Sequence, residues 1–250
     1  MTKTLLRTVA LLCAFAPFAP AVNTFAQTED PTPAHFKLED TETTAKLTAL
    51  RDAFVKQIVT EGFSCPIKPP TIVLHQIPSF RNYNNDDNTI TSPAWHQLGP
   101  EEKALFHHLA GPDADDAAAR AIFESGSHRW IFIHELGHWW QACKRASDSH
   151  ARTMTPYQTE YEADRIDAAY WKQTDPAFLA RMMDLFHHMY EAGPNPVPEG
   201  TDAVKFFNDN YGEALAKTNA YPWFQARMIV GVDAEKSAAT FAQTLRDTGK

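Results

Sequence analysis

Apolar positions recur at helical intervals along most of the chain, and the exceptions are short and bounded by proline or asparagine. Over residues 43–60, Ala45, Leu47, Leu50, Phe54, Ile58 and Val59 predict an amphipathic helix, with Gly62 where such a helix stops. Pro66, Pro69 and Pro70 then break the pattern, and residues 71–74 (Thr-Ile-Val-Leu) read as a short strand. Residues 82–88 are turn-rich, and 88–91 predict a second short strand closed by Pro93. Everything after Pro100 is helical in pattern. Pro100-Glu101-Glu102 is a helix start, 113–124 is Ala-rich, and further helices are expected over 127–144, 156–173, 176–192, 201–217 and from 222 onward. The break from Gly193 to Pro198 opens no second core. The expectation is a single α+β domain over 41–250, mainly helical, with a small sheet in its N-terminal half.

The first 26 residues break this pattern. Lys3 and Arg7 precede a short apolar run from Val9 to Phe18, and Thr24-Phe25-Ala26 offers a small-residue cleavage site, with Ala19-Pro20-Ala21 as its competitor. Residues 1–26 therefore read as a signal peptide and the chain as exported, periplasmic or extracellular. The apolar run is too short to span a bilayer, and Pro17 and Pro20 interrupt it. Residues 27–40, polar and carrying Pro31 and Pro33, read as a flexible linker.

Charge narrows the partners. The chain carries 23 basic and 31 acidic residues, a net −8, and removing Lys3 and Arg7 leaves 21 against 31, near −10. Nucleic acid and anionic membrane faces recruit the opposite sign. Cys65 and Cys143 remain after the signal. They form a disulfide in an oxidising compartment or stay as two buried thiols, and neither has the C-x-x-C spacing of a zinc site.

The candidate chemistry lies in Trp130-Ile131-Phe132-Ile133-His134-Glu135-Leu136-Gly137-His138-Trp139-Trp140. Four-residue spacing puts His134 and His138 on one helical face, where both imidazoles reach one metal ion. Glu135 is rotated by about 100°, the step of one helical residue, so it stands beside the ion as a general base for water. The segment is apolar on nearly every side, and a buried helix that presents two histidines and a glutamate needs a reason, because unpaired buried polar groups are costly. Downstream, Glu160 and Asp164 share a face, with Asp167 on the same side. Glu160 is thus the expected third ligand, and Asp164 the acceptor that orients a ligand imidazole. Glu162 is the rival ligand, pointing the opposite way. Tyr211, His187, His188 and Arg227 are candidates for stabilising an oxyanion, each equally readable as packed or solvated. Trp139 and Trp140 read as core.

His134-Glu135-x-x-His138 followed by Glu160-x-x-Ala163-Asp164 resembles the gluzincin zinc metallopeptidases, most closely their M48-type and minimal "minigluzincin" members. The matched part runs over 130–171. The resemblance implies a zincin-like fold, zinc held by His134, His138 and Glu160, Glu135 as catalytic acid/base, and a peptide substrate laid along an edge strand above the active-site helix. The metzincin extension is absent, since Gln141 and Lys144 stand where it needs Gly and His. Related membrane proteases carry transmembrane helices, and none is visible here after the signal. The expected function is zinc-dependent hydrolysis of peptide bonds, with Glu135 activating water. The alternatives are a noncatalytic exported zinc-binding protein and a zinc hydrolase acting on cell-wall peptide.

Overall fold

Pro33 opens the first helix of the computed structural model, which describes residues 33–77, 82–148, 151–212, 215, 220–235 and 239–250. The expected signal peptide, 1–26, lies outside the described residues. Helix α1 (Pro33–Thr60) leads to strands β1 (Thr71–Leu74), β2 (Asn82–Asn84) and β3 (Thr89–Ser92). A 3₁₀ turn, Trp95–Gln97, precedes α2 (Pro100–Ala110) and α3 (Asp116–Phe123). A π-helical segment, Glu124–Ile131, runs into α4 (Phe132–Ser147). Then come α5 (Pro156–Thr174), α6 (Pro176–Ala192), α7 (Ala203–Asn210), α8 (Tyr221–Ala234) and α9 (Phe241–Asp247). The architecture is mainly helical with one small mixed sheet. Among the described residues, no helix is long and apolar enough to cross a membrane.

The helix expected over 201–217 covers only Ala203–Asn210, and three further boundaries differ from expectation for a physical reason. Residues 33–40, assigned above to the linker, belong to α1, which starts ten residues before the apolar pattern does. Its first turns are held by polar contacts: buried Glu39 accepts from the His96 backbone N–H and pairs with Arg120, and Phe36 stacks on His96. The turn-rich stretch yields β2 as well as a turn. Asn88 takes φ of 54°, a left-handed conformation that Asn tolerates better than most residues, so the chain reverses tightly and β2 pairs antiparallel with β3. The third is a widened turn of the helical ladder. The helical path into the histidine motif is continuous from Asp116, and its π-helical stretch places Gly126 and Ser127 where an α-helix was expected to begin.

The sheet has the order β1-β3-β2, with β1 parallel to β3 and Tyr83 of β2 opposite Ile90 of β3. That order leaves β2 at an edge, next to α4. The helix α4 is the centre of the core: Phe132, Ile133, Leu136, Trp139 and Trp140 are all buried. The two tryptophans keep their indole N–H groups bonded, Trp139 to the Lys68 carbonyl at 3.0 Å and Trp140 to the Leu245 carbonyl at 3.1 Å. A disulfide joins Cys143, near the end of α4, to Cys65 ahead of β1. Closing a 78-residue separation stabilises the fold by roughly 4 kcal/mol in the chain-entropy account.

Candidate metal centre

Two helices supply every ligand, and their closeness depends on one glycine. A Cβ at Gly137 of α4 would lie 3.2 Å from Ala163 Cα and 3.3 Å from its carbonyl oxygen, so the bare backbone lets α4 and α5 approach at the site. Helix α5 is aimed by its start: the Thr155 hydroxyl accepts from the Gln158 N–H, the Gln158 side chain accepts from the Thr155 N–H, and Pro156 occupies the first turn. Glu160 then falls one turn inside the helix, facing the histidines.

The geometry fits a metal ion. His134 Nε2 lies 3.1 Å and His138 Nε2 3.5 Å from the same carboxylate atom, Glu160 Oε2. One ligand atom from each of the three residues lies within 4.8 Å of the others. Tetrahedral ligands at about 2.0–2.1 Å from zinc stand about 3.3 Å apart, and the two measured separations bracket that edge. His134 and Glu160 are buried and His138 is partly so, which leaves one side of the group open.

The remaining atoms are oriented by specific partners. Asp164 Oδ1 lies 2.7 Å from His134 Nδ1, so the imidazole donates there and keeps its Nε2 lone pair for the centre. His138 Nδ1 donates to Gln141 Oε1 at 3.0 Å, and Gln141 Nε2 donates to the Thr159 carbonyl at 2.8 Å, which fixes the amide's direction. Gln141 thereby ties one ligand to the residue preceding another. Glu160 also accepts from three other groups: the Tyr211 hydroxyl on Oε1, and the Tyr221 hydroxyl (2.9 Å) and Gln225 Nε2 (3.2 Å) on Oε2, the oxygen that faces the imidazoles.

Glu135 is not one of the three converging ligands. Its Oε2 accepts the backbone N–H of Tyr83 at 2.8 Å, so the edge strand β2 fixes the carboxylate beside the metal group. Glu162, the rival ligand, points elsewhere and accepts the Gly249 N–H at 3.2 Å. Asp167 is fully buried on the Asp164 side, and burial holds its carboxyl well above the usual range.

Electrostatics favour a cation here. Burial would lower both histidine pKa values, but neighbouring carboxylates outweigh it and raise them: Asp164 and Glu160 at His134, chiefly Glu160 at His138. Burial would raise Glu160, yet the two imidazoles bring it well below the usual carboxylate range. Burial and the Glu160 charge push the Tyr211 and Tyr221 hydroxyls up, so both remain donors. The carboxylates thus favour positive charge on the imidazoles, and a divalent cation would take the place of those protons, held between neutral imidazoles and the Glu160 carboxylate.

Of the four oxyanion candidates, Tyr211 bonds a residue of the centre. His187 pairs with Asp233 at 3.1 Å, Arg227 donates to the Tyr157 hydroxyl at 3.0 Å, and His188 is exposed. Sequence reasoning missed Tyr221, Gln225 and Gln141. The four-residue spacing of Tyr221 and Gln225 is a same-face signal, and Gln225 also donates to the Tyr221 hydroxyl at 2.9 Å, but nothing local says which carboxylate that face meets. No family model matches the chain, and no curated protein or solved structure matches it.

Proposed function

We propose that this chain is an exported zinc metallopeptidase with a zincin-like, gluzincin-type centre, in which His134, His138 and Glu160 hold the metal and Glu135 is the general base. The observation that carries the reading is the approach of two Nε2 atoms to one carboxylate oxygen at 3.1 and 3.5 Å, with an unshared glutamate fixed alongside. Two imidazoles with one carboxylate suit zinc, and three protein ligands with an open side suit a catalytic rather than structural ion. Bound there, zinc supplies Lewis acidity toward water and a scissile carbonyl.

The chain's own residues supply the rest. Asp164 and Gln141 hold the two imidazoles in the tautomer that leaves Nε2 free. Glu135 accepts the proton that water must lose on attack and returns it to the leaving amine, which requires a carboxylate close to the centre but unligated. Its link to the Tyr83 N–H steadies it and couples it to the edge strand, along which an extended peptide can lie. Tyr211, whose hydroxyl stays protonated and whose ring is partly exposed, could donate toward a developing oxyanion only by releasing Glu160 Oε1. The Cys65–Cys143 disulfide supports an oxidising destination, and the net negative charge supports a peptide rather than a nucleic-acid partner.

The test is zinc content and cleavage of a mixed peptide library by wild type beside Glu135→Gln. We expect about one zinc per chain in both proteins, cleavage by wild type, and loss of at least a thousandfold in the variant. Zinc without any cleavage favours a noncatalytic binding protein. No zinc in the wild type removes the centre itself.

A further inference from the structure

The chain is acidic, with 31 acidic residues against 23 basic, yet one cavity collects three arginines, Arg152, Arg165 and Arg227. It measures about 460 Å³ and lies between α5, Val204 of α7, and Arg227 and Gly231 of α8. No ligand of the metal centre lines it, and neither does Glu135. Tyr157, Tyr161 and Arg165 follow at four-residue steps, so they share a face of α5 that Glu160 and Asp164 do not. Gly231 lets that face come close to α8, since a Cβ there would meet the Tyr161 ring at 3.2 Å.

Two of the arginines are matched. Arg165 Nε lies 3.1 Å from Glu235 Oε2, and Glu235 also accepts from the Tyr161 hydroxyl. Arg152 Nη2 lies 3.8 Å from Glu162 Oε1, while Glu162 Oε2 accepts the Gly249 N–H. Arg227 differs. It is partly buried, its Nη1 donates to the Tyr157 hydroxyl at 3.0 Å, and among the described residues it is paired with no carboxylate. A guanidinium partnered by a neutral phenol keeps most of its donor fork unused, and that fork matches the two oxygens of a carboxylate. Charge selects the same group. Three arginines against Glu162 and Glu235 leave one positive charge in surplus, which a single carboxylate balances, whereas a phosphate dianion would leave net negative charge beside Glu162. The volume falls within the about 300–1,000 Å³ of small-molecule sites, so there is room beside the tyrosine rings for the body that carries the carboxylate.

We propose that this cavity is a binding site, separate from the metal centre, for a ligand bearing one carboxylate, which pairs with Arg227. A small organic acid and the acidic side chain of a peptide present the same group. The site stands apart from the peptidase reading, and so does its test.

Two probes of equal shape decide it: N-acetylglutamic acid α-amide, with one carboxylate, and N-acetylglutamine α-amide, with none. Each is titrated into the full chain at low ionic strength and followed by NMR. The acid should bind at least tenfold more tightly than its neutral counterpart. Arg227→Gln should abolish that preference with zinc content unchanged. Equal binding of the two probes to wild type overturns the site, and this comparison needs no variant to fold. A preference that survives in Arg227→Gln also overturns it, because the carboxylate then sits elsewhere, on a bound metal for instance. Inorganic phosphate binding more tightly than the acid overturns the choice of a single carboxylate. Acetate separates the two sources. Acetate as tight as the glutamate probe supports the site as one for a free small acid, and acetate at least tenfold weaker supports it as one for a carboxylate carried on a peptide.

Discussion

The front of the metal centre and its back are built at different ranges. The front is made by helix periodicity: His134 and His138 are one turn apart, Glu160 and Asp164 are one turn apart, and the two pairs meet across 22 to 30 residues. The back is made by tertiary contact, with Tyr211, Tyr221 and Gln225 reaching Glu160 across 51, 61 and 65 residues. The front is the group that could hold a metal ion. The back holds one ligand's charge in place and excludes alternatives for its oxygens. Substitutions at the two sides should therefore differ in magnitude, and metal affinity measured by competition with a chelator separates them.

The largest effect belongs to the front. His138→Ala removes one of three ligands and should weaken zinc binding by at least about a thousandfold, roughly 4 kcal/mol. Asp164→Asn comes next. It keeps the shape but gives up the charge that accepts from His134 Nδ1 at 2.7 Å, and loss of such partners weakens metal binding by about 10–100-fold. Circular dichroism should show both variants folded. An Asp164→Asn protein that binds zinc as tightly as wild type would remove the orienting role given to that carboxylate.

Gly137→Ala probes the contact that lets the front close. The added methyl meets Ala163 backbone at 3.2–3.3 Å, so the helices must separate by a few tenths of an ångström. Overpacking of this kind costs about 1–3 kcal/mol, partly offset by about 1 kcal/mol of helix propensity gained over glycine. The expected outcome is a small fall in Tm with an approximately tenfold loss of zinc affinity, because Glu160 and the histidines sit on opposite sides of that contact. A fall in Tm with no change in affinity would show that the ligands readjust independently of the helix spacing.

The same division explains what could be read from the sequence. The grouping of His134, His138 and Glu160, with Asp164 against His134, was legible because helical periodicity is local, and the segment's all-round apolarity correctly placed α4 in the core. The helix α6 was expected over the residues it occupies, Pro176–Ala192, since proline opens it and glycine follows it. The start of α1 was not legible, because its first turns are fixed by Glu39 against His96 and Arg120, contacts that cross more than 50 residues and leave no apolar stripe. Strand β2 was hidden in asparagines, whose strand propensity is low, and exists through pairing with β3 and the turn at Asn88. The disulfide was open as one of two alternatives, and the fold brings the two Cα atoms to 5.1 Å. Tyr221 and Gln225 escaped notice because a same-face pair on α8 does not name its partner on α5.

The smallest effect belongs to the back, and it separates two tyrosines that share one carboxylate. Tyr221→Phe removes a buried donor from Glu160 Oε2, but Gln225 Nε2 still donates to that atom, so the loss should be about 1 kcal/mol, near fivefold in zinc affinity. Tyr211→Phe removes the donor to Oε1 on a residue 46 % exposed, where water can take its place, and zinc affinity should hardly change. Turnover should follow the reverse order. A kcat lowered more than tenfold in Tyr211→Phe with zinc content intact fits a hydroxyl that serves the reaction, whereas Tyr221→Phe should lose turnover only in proportion to its metal. If instead Tyr221→Phe loses zinc as severely as Asp164→Asn, the back of the centre matters as much as the front, and the contrast between local and long-range construction does not carry over to energy.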